Sequence, residues 1–333
     1  MGRFGNQAEH FLGGLSFAKQ INRTLILPPL RTDRNVEYNE WFAIEPLKQY
    51  HRVVLATDFM THLAPRVWPQ EKRFGFCYQL PGYEPCELKI GNPFTNFWDE
   101  LGVDFNDIVR YQVSYQQPRQ FQKEMPSDKY PVIALRGAPA AFPMLARDLS
   151  LSEYIEFSND LKQHVQILIN DQFDSQQYVG IHLRNGVDWT RACEHLSSSG
   201  SRFMSSYQCV GFDYSKPLTD EMCFPSKDEV VRLTREIVKA EQVKYVLVAT
   251  DANAMISELQ KAMPDVKIRH INPHLPVIDI ALLTESKHFI GNCVSSFSAF
   301  VWRYRMVHSK GPTSHFGVPA AFEDTSNPDR KEL

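Results

Sequence analysis

Tyr178-Val-Gly-Ile-His-Leu-Arg-Asn-Gly-Val-Asp-Trp189 is the stretch whose reading decides the fold. Four apolar or small residues, Tyr178 to Ile181, run into His182 and Arg184. A short apolar run with a β-branched centre predicts a buried parallel strand over 178–184. Asn185-Gly186 then stops it as a turn dipeptide. Polar side chains at the carboxyl end of such a strand stand where open α/β sheets bind ligands. Arg184 presents a planar fork of donors matched to phosphate. The reading adopted is that Arg184 holds a diphosphate leaving group; pairing with Asp188 on a loop is the alternative.

Downstream the pattern alternates. A cysteine- and serine-rich insertion covers 189–225. A helix from Ser226 is announced by a capping box of Ser226 and Glu229. Strand 245–250, helix 253–263, strand 266–271, helix 277–286, strand 288–291 and helix 297–308 follow, and a turn-rich tail starts at 311. Strands alternating with helices predict a doubly wound parallel sheet. Upstream, residues 2–7 form a glycine-punctuated loop, then a helix carries Ala8, Phe11, Leu12 and Leu15 on one face. Residues 24–29 read as a strand stopped by proline. The loop thus sits at a helix N-terminus, where free N–H groups attract anions; a plain tight turn is the alternative. It is not Gly-x-Gly-x-x-Gly, so a dinucleotide cofactor is disfavoured. Residues 131–136 form another strand and 151–170 another helix. Tyr38–Phe42 and Phe94–Trp98 line an acceptor groove or belong to the core.

At 333 residues the chain is long enough for two domains. A net charge of −3 argues against general nucleic-acid binding. No apolar run reaches the roughly 20 residues of a membrane span. The loop at Gly2 has no strand before it, although a Rossmann unit begins on one. An N-terminal segment such as a secretory leader is therefore expected upstream. Six cysteines fit no zinc spacing and permit three disulfides. Asn22-Arg23-Thr24 is a glycosylation acceptor triplet, and Arg330-Lys-Glu-Leu333 is close to an endoplasmic-reticulum retrieval tail. Together these point to the secretory pathway.

Further side chains carry candidate chemistry. Ser295 and Ser296 lie between the last strand and last helix, where hydroxyls and free N–H groups suit a second phosphate contact or a helix cap. Asp279, in an apolar helix, needs donors if buried. Guanine offers an N1–H and an exocyclic amine side by side; an exposed position favoured by the helix dipole is the alternative. Asp251 reads as a helix N-cap, with a ribose contact as the second reading. No Asp-x-Asp pair occurs, so a nucleotide-sugar transferase here would use side-chain cations in place of a metal ion. No nucleophile elbow or His-Glu-x-x-His is present.

Gly2–Gln7, His182–Asp188 and Phe289–Phe297, in this order, resemble the protein O-fucosyltransferases that modify EGF-like repeats. The resemblance covers nearly the whole chain. It implies a GT-B architecture: Rossmann-like domains over 1–155 and 156–310, the donor in the cleft between them, and a tail over 311–333. It implies inverting transfer of fucose from GDP-fucose to a Ser or Thr hydroxyl of folded EGF-like repeats, as in Notch-type receptors, with no cofactor, metal or nucleic acid required. Arg3, Phe4, Gly5 and Asn6 then form one side of the donor site, and His182, Leu183 and Arg184 the other. Asp279, Ser295, Ser296 and Phe297 hold the guanosine and phosphate end, with Asp188 and Asp251 nearby. Arg184 stabilises the leaving group, and Asn6 positions the acceptor hydroxyl or the β-phosphate. The family also implies Cys77–Cys86, Cys193–Cys223 and Cys209–Cys293. The retrieval-like tail, with the other secretory signals, predicts the lumen of the endoplasmic reticulum. A fucosyltransferase acting on glycans and a non-catalytic nucleotide-sugar-binding module are the competing functions.

Overall fold

The computed structural model describes residues 4–32, 34–80, 82, 86–90, 94–196, 203–204, 207–211, 213, 215–271 and 275–319. The chain divides into two units. Unit 1 is Met1–Met144 with Tyr154–Ser158, and unit 2 is Leu145–Glu153 with Asn159–Leu333. A single cut after residue 155 does not describe this division. The Tyr154 ring packs on Tyr50 and that of Phe157 on Phe42, at 5.2 and 5.6 Å. Ala43 N–H donates to Glu156 O at 2.8 Å, which fastens this short return segment to unit 1. The same contacts explain why the helix expected over 151–170 starts only at Asn159. Its apolar residues 154 and 157 are committed to unit 1, and residues Ala146–Tyr154 form a 3₁₀ helix instead.

Unit 1 opens with α1 (Phe4–Gln20), so the expected loop over 2–7 is already helical at Phe4. The helix ends at Asn22, which takes the left-handed conformation (φ 52°) that asparagine tolerates well. Strands β1 (Leu25–Leu27) and β2 (Val53–Leu55) pair in parallel. A second parallel sheet holds β3 (Phe74–Tyr78) between β4 (Asp107–Tyr111) and β5 (Ala134–Leu135). The strand expected over 131–136 shrinks to those two residues. Tyr38, Trp41, Phe42, Phe97 and Trp98 are buried and belong to the core rather than to an exposed groove. Cys77 and Cys86 are bonded.

Unit 2 follows the alternating pattern. α2 is Asn159–Phe173 and β6 is Val179–Leu183. α3 (Val187–Cys193) begins the insertion, and α4 is Lys227–Glu241. Then come β7 (Tyr245–Thr250), α5 (Ile256–Ala262), β8 (Lys267–Arg269), α6 (Pro276–Glu285), β9 (His288–Gly291) and α7 (Ser296–Val307). Residues Thr313–His315, expected as tail, form β10 and pair in parallel with β9. Their polar composition hid the strand, and it suits an edge position.

The five strands run in the order β8-β7-β6-β9-β10, all parallel. β6 is buried along its whole length, as its continuous apolar run requires. Val179, Ile181, Val246, Val248 and Ile290 form the centre of the core under α4 and α5. Strand order reverses between β6 and β9, the switch point at whose carboxyl ends such sheets bind ligands. Ser226 Oγ accepts the Glu229 N–H at 3.2 Å and so caps α4. The reciprocal half of the expected capping box is replaced: Ser226 N–H donates to Glu221, and the Glu229 carboxylate takes Arg232. Cys193–Cys223 and Cys209–Cys293 fasten the insertion. Among the described residues no helix is long and apolar enough to cross a membrane.

Candidate functional site

The β6 and β9 ends bring the unit 2 candidates together. Register sets Ile181 beside Ile290, so His182 comes level with Gly291 and Leu183 leads into the turn. Leu183 is buried in the sheet core. His182 stacks on Phe297 at 4.4 Å, and its Nδ1 shares a 2.7 Å hydrogen bond with Ser298 Oγ. Burial, reinforced by the Arg184 charge, pushes the imidazole pKa down to about 3, so the ring is neutral at physiological pH. It acts as a fixed polar wall rather than as a proton carrier.

Arg184 follows, one-seventh exposed. Its guanidinium pairs with Asp188 (Nη2–Oδ2 2.6 Å) and with Asp251, and lies 5.0 Å from the Trp189 ring. The structure thus shows the pairing with Asp188, extended to Asp251, for a side chain one residue past the carboxyl end of β6. Gly186 makes room for the two carboxylates. A Cβ there would come within 2.5 Å of Asp251 and 2.8 Å of Asp188. Asp251 is not the helix cap expected of it. Met255, in the left-handed region (φ 51°), precedes α5, and Asp251 Oδ1 accepts the Asn185 N–H at 3.0 Å. Asn185 binds the ends of β6 and β7 together: its Oδ1 accepts from Thr250 Oγ1 and from Asn253 N–H, both at 3.1 Å. It is more than the turn residue its dipeptide suggested.

After β9, the buried Asn292 folds its Oδ1 back to accept the N–H groups of Val294 and Ser295 at 3.2 and 3.1 Å. Its own N–H donates to Ser298 Oγ at 3.0 Å, and its amide nitrogen donates to Cys223 O at 2.8 Å. Trp189 Nε1 reaches the same carbonyl at 2.8 Å. Ser295 precedes α7 and is buried, but its hydroxyl makes no cap bond. Ser296 and Phe297, half-buried, occupy the first turn, where N–H groups of the helix start are directed outward. Asn185, Asn292, Ser298 and Trp189 thus hold the site in shape. Sequence reading passed over them as turn, spacer, helix and insertion residues, although each lies next to a motif residue.

Asp279 sits in the first turn of α6. Burial raises its carboxyl pKa to about 7, and its Oδ1 is buried with no hydrogen-bond partner among the described residues. An unpaired buried acceptor at a helix start is costly unless a ligand supplies donors. In unit 1, Phe4 is buried against Trp41 and Phe42 at 5.8 and 6.1 Å. Gly5 is buried and Asn6 half-buried in the first turn of α1. Gln7 clamps Arg31 through both amide atoms, at 2.7 and 2.9 Å. Arg3 lies outside the described residues. Asn22 is exposed, and its Oδ1 accepts from Arg52 at 2.9 Å.

Comparison with known proteins names the arrangement. The family model for GDP-fucose protein O-fucosyltransferase matches residues 1–308. GDP-fucose protein O-fucosyltransferase 1 of Caenorhabditis elegans is 34% identical over 346 aligned positions, covering 96% of this chain and 89% of its own length. Crystal structures of POFUT1 with GDP and with GDP-fucose each superpose with a TM-score of 0.88. They are 33% and 31% identical and cover 96% of both chains. The fold class is that of the GT-B glycosyltransferases, α/β with parallel sheets. The chain belongs to the GDP-fucose protein O-fucosyltransferase family and is a glycosyltransferase.

Proposed function

We propose that this enzyme inverts the anomeric centre of GDP-fucose while transferring the sugar to a Ser or Thr hydroxyl of a folded EGF-like repeat, Notch-type receptors included, without a metal ion. The observation that carries this reading is Arg184 just past β6 at the switch point, two residues after the neutral His182, which packs on Phe297 and bonds Ser298. As the fucosyl–phosphate bond breaks, charge accumulates on the diphosphate. A guanidinium fixed there stabilises the transition state more than the ground state. With no Asp-x-Asp pair in the chain, that cation takes the part a metal ion plays in other nucleotide-sugar transferases. Asp188 and Asp251 pair with Arg184; donor binding exchanges these carboxylate contacts for phosphate. The Ser295–Phe297 turn takes the other phosphate contacts, and Asp279 accepts the two guanine N–H groups.

Asn6 positions the acceptor hydroxyl or the β-phosphate. The fucosyl centre gains oxocarbenium character as GDP leaves, so a strong base is unnecessary. Three disulfides, the exposed Asn22 triplet and the Arg330–Leu333 tail, which lies outside the described residues, support residence in the lumen of the endoplasmic reticulum. The test is a transfer assay with GDP-fucose in the presence of EDTA. It compares a folded EGF-like repeat, the same repeat reduced, and free oligosaccharides, and reads the anomer by NMR. β-to-α inversion on the folded repeat alone is expected. Transfer to oligosaccharide instead would establish a glycan fucosyltransferase, and GDP-fucose binding without product would establish a binding module.

A further inference from the structure

Ser298, the third residue of α7, is fully buried between two parts of the site. Its Oγ lies 2.7 Å from His182 Nδ1 and 3.0 Å from the Asn292 backbone nitrogen. These two contacts fix where the hydrogens are. A backbone N–H can only donate, so Ser298 Oγ accepts from Asn292. Among the described residues the only other group bonded to this oxygen is His182 Nδ1. A neutral imidazole has one donor and one acceptor nitrogen. If Nδ1 carried the hydrogen, the Ser298 oxygen would accept twice and its own O–H would be buried with no acceptor, which costs the full desolvation of that group. If instead Ser298 O–H donates to Nδ1, every hydrogen is matched. The ring hydrogen then sits on Nε2, since which nitrogen is protonated is set by the bond the other one makes. Nε2 has no hydrogen-bond partner among the described residues and is not sealed from solvent. Phe297, stacked on the ring at 4.4 Å, holds it in this orientation.

We propose that Ser298 is a positioning residue: it holds His182 as the Nε2–H tautomer, so that the ring offers a fixed, uncharged donor to an oxygen of the GDP diphosphate. This rests on the reading of the β6 and β9 ends as the diphosphate site. The other tautomer would turn a bare nitrogen lone pair toward the same oxygen, and two acceptors repel. Ser298 therefore acts on the ligand through His182, not by touching it. Its hydroxyl does two things at once: it sets the ring hydrogen, and it fastens the Asn292 turn. The second is structural, and the test has to separate the two.

Two measurements do so. The first is proton–nitrogen correlation NMR at neutral pH on protein isotope-labelled at the histidine ring nitrogens, with the His182 ring identified by the signals lost in His182→Phe. Wild type is expected to show a hydrogen on Nε2 and none on Nδ1; an Nδ1–H ring overturns the proposal. The second is calorimetry with GDP as the probe. Ser298→Ala is expected to weaken binding about tenfold or more, and Ser298→Thr, which keeps the hydroxyl, by no more than about twofold. His182→Phe keeps the stack on Phe297 but has no ring nitrogen. In that background Ser298→Ala is expected to cost less than about twofold, because its effect runs through the ring. A loss that persists in full there assigns Ser298 to the Asn292 turn alone and overturns the proposal, as does unchanged affinity in Ser298→Ala. Wild type that fails to bind GDP overturns the functional reading, and this role with it, whatever the tautomer; GDP binding to an Nδ1–H ring overturns this role alone.

Discussion

Asp279 carries the sharpest residue-scale consequence. Burial holds its carboxyl near pKa 7, and in the proposed donor site the ionised form is the one that accepts two guanine N–H groups. Below pH 7 a proton must be released before the base can bind, so GDP affinity rises with pH. Between pH 6 and pH 8 the ionised fraction grows about tenfold, and affinity should follow. Calorimetry on wild type and Asp279→Asn separates this from titration of the phosphate itself: their affinity ratio should change about tenfold across the range. A ratio independent of pH would remove Asp279 from the guanine site. The residue was legible from sequence because a lone carboxylate between Ile278 and Ile280 is anomalous. Asp251 was misread for the opposite reason: an aspartate after a strand looks like a cap, and only the fold shows Arg184 and Asn185 reaching it.

At the scale of elements, β7 and β9 were legible to the residue, whereas the strands expected over 24–29, 131–136 and 266–271 are shorter than their apolar runs. The start of α4 was legible from its Ser226 cap, but starts without a side-chain cap were not, because they depend on local backbone geometry. α5 begins at Ile256 rather than 253 since Asn253 Oδ1 accepts the Met255 N–H at 2.9 Å and Met255 adopts positive φ. The insertion resisted reading altogether, lacking periodicity, yet it braces the site. Cys209–Cys293 and the Asn292 bond to Cys223 O tie it to the turn before α7, and Trp189 bonds the same carbonyl from within the insertion. The disulfide closes a loop with a sequence separation of 84. In a chain-entropy account, a loop of that size is worth on the order of 4 kcal/mol. Replacing both Cys209 and Cys293 by alanine should therefore lower the denaturation midpoint markedly and raise the KM for GDP-fucose. Urea titration and steady-state kinetics check this; an unchanged KM would show that the brace does not reach the site.

For the whole molecule, buried imidazoles set the acid limit. His182 and His315 are buried, and burial pushes each pKa from 6.5 down to about 3. Between those values the unfolded chain binds protons that the folded chain refuses. Stability is therefore present in full above pH 6.5 and is lost as pH falls, by up to about 1.4 kcal/mol per pH unit per group. Asp279 contributes with opposite sign, since its raised pKa makes the folded state hold the extra proton. Comparing wild type with His315→Gln cancels that term. The variant's slope of stability against pH, from denaturant midpoints between pH 4 and 6, should be shallower by about that amount, and equal slopes would mean that His315 is not buried neutral. The proposed mechanism rests on one charge at the switch point of unit 2, and Arg184→Ala tests it most directly. Single-turnover transfer from GDP-fucose to a folded EGF-like repeat should slow about a hundredfold to a thousandfold, with the circular-dichroism spectrum and Tm retained. A rate within about threefold of wild type would contradict the account.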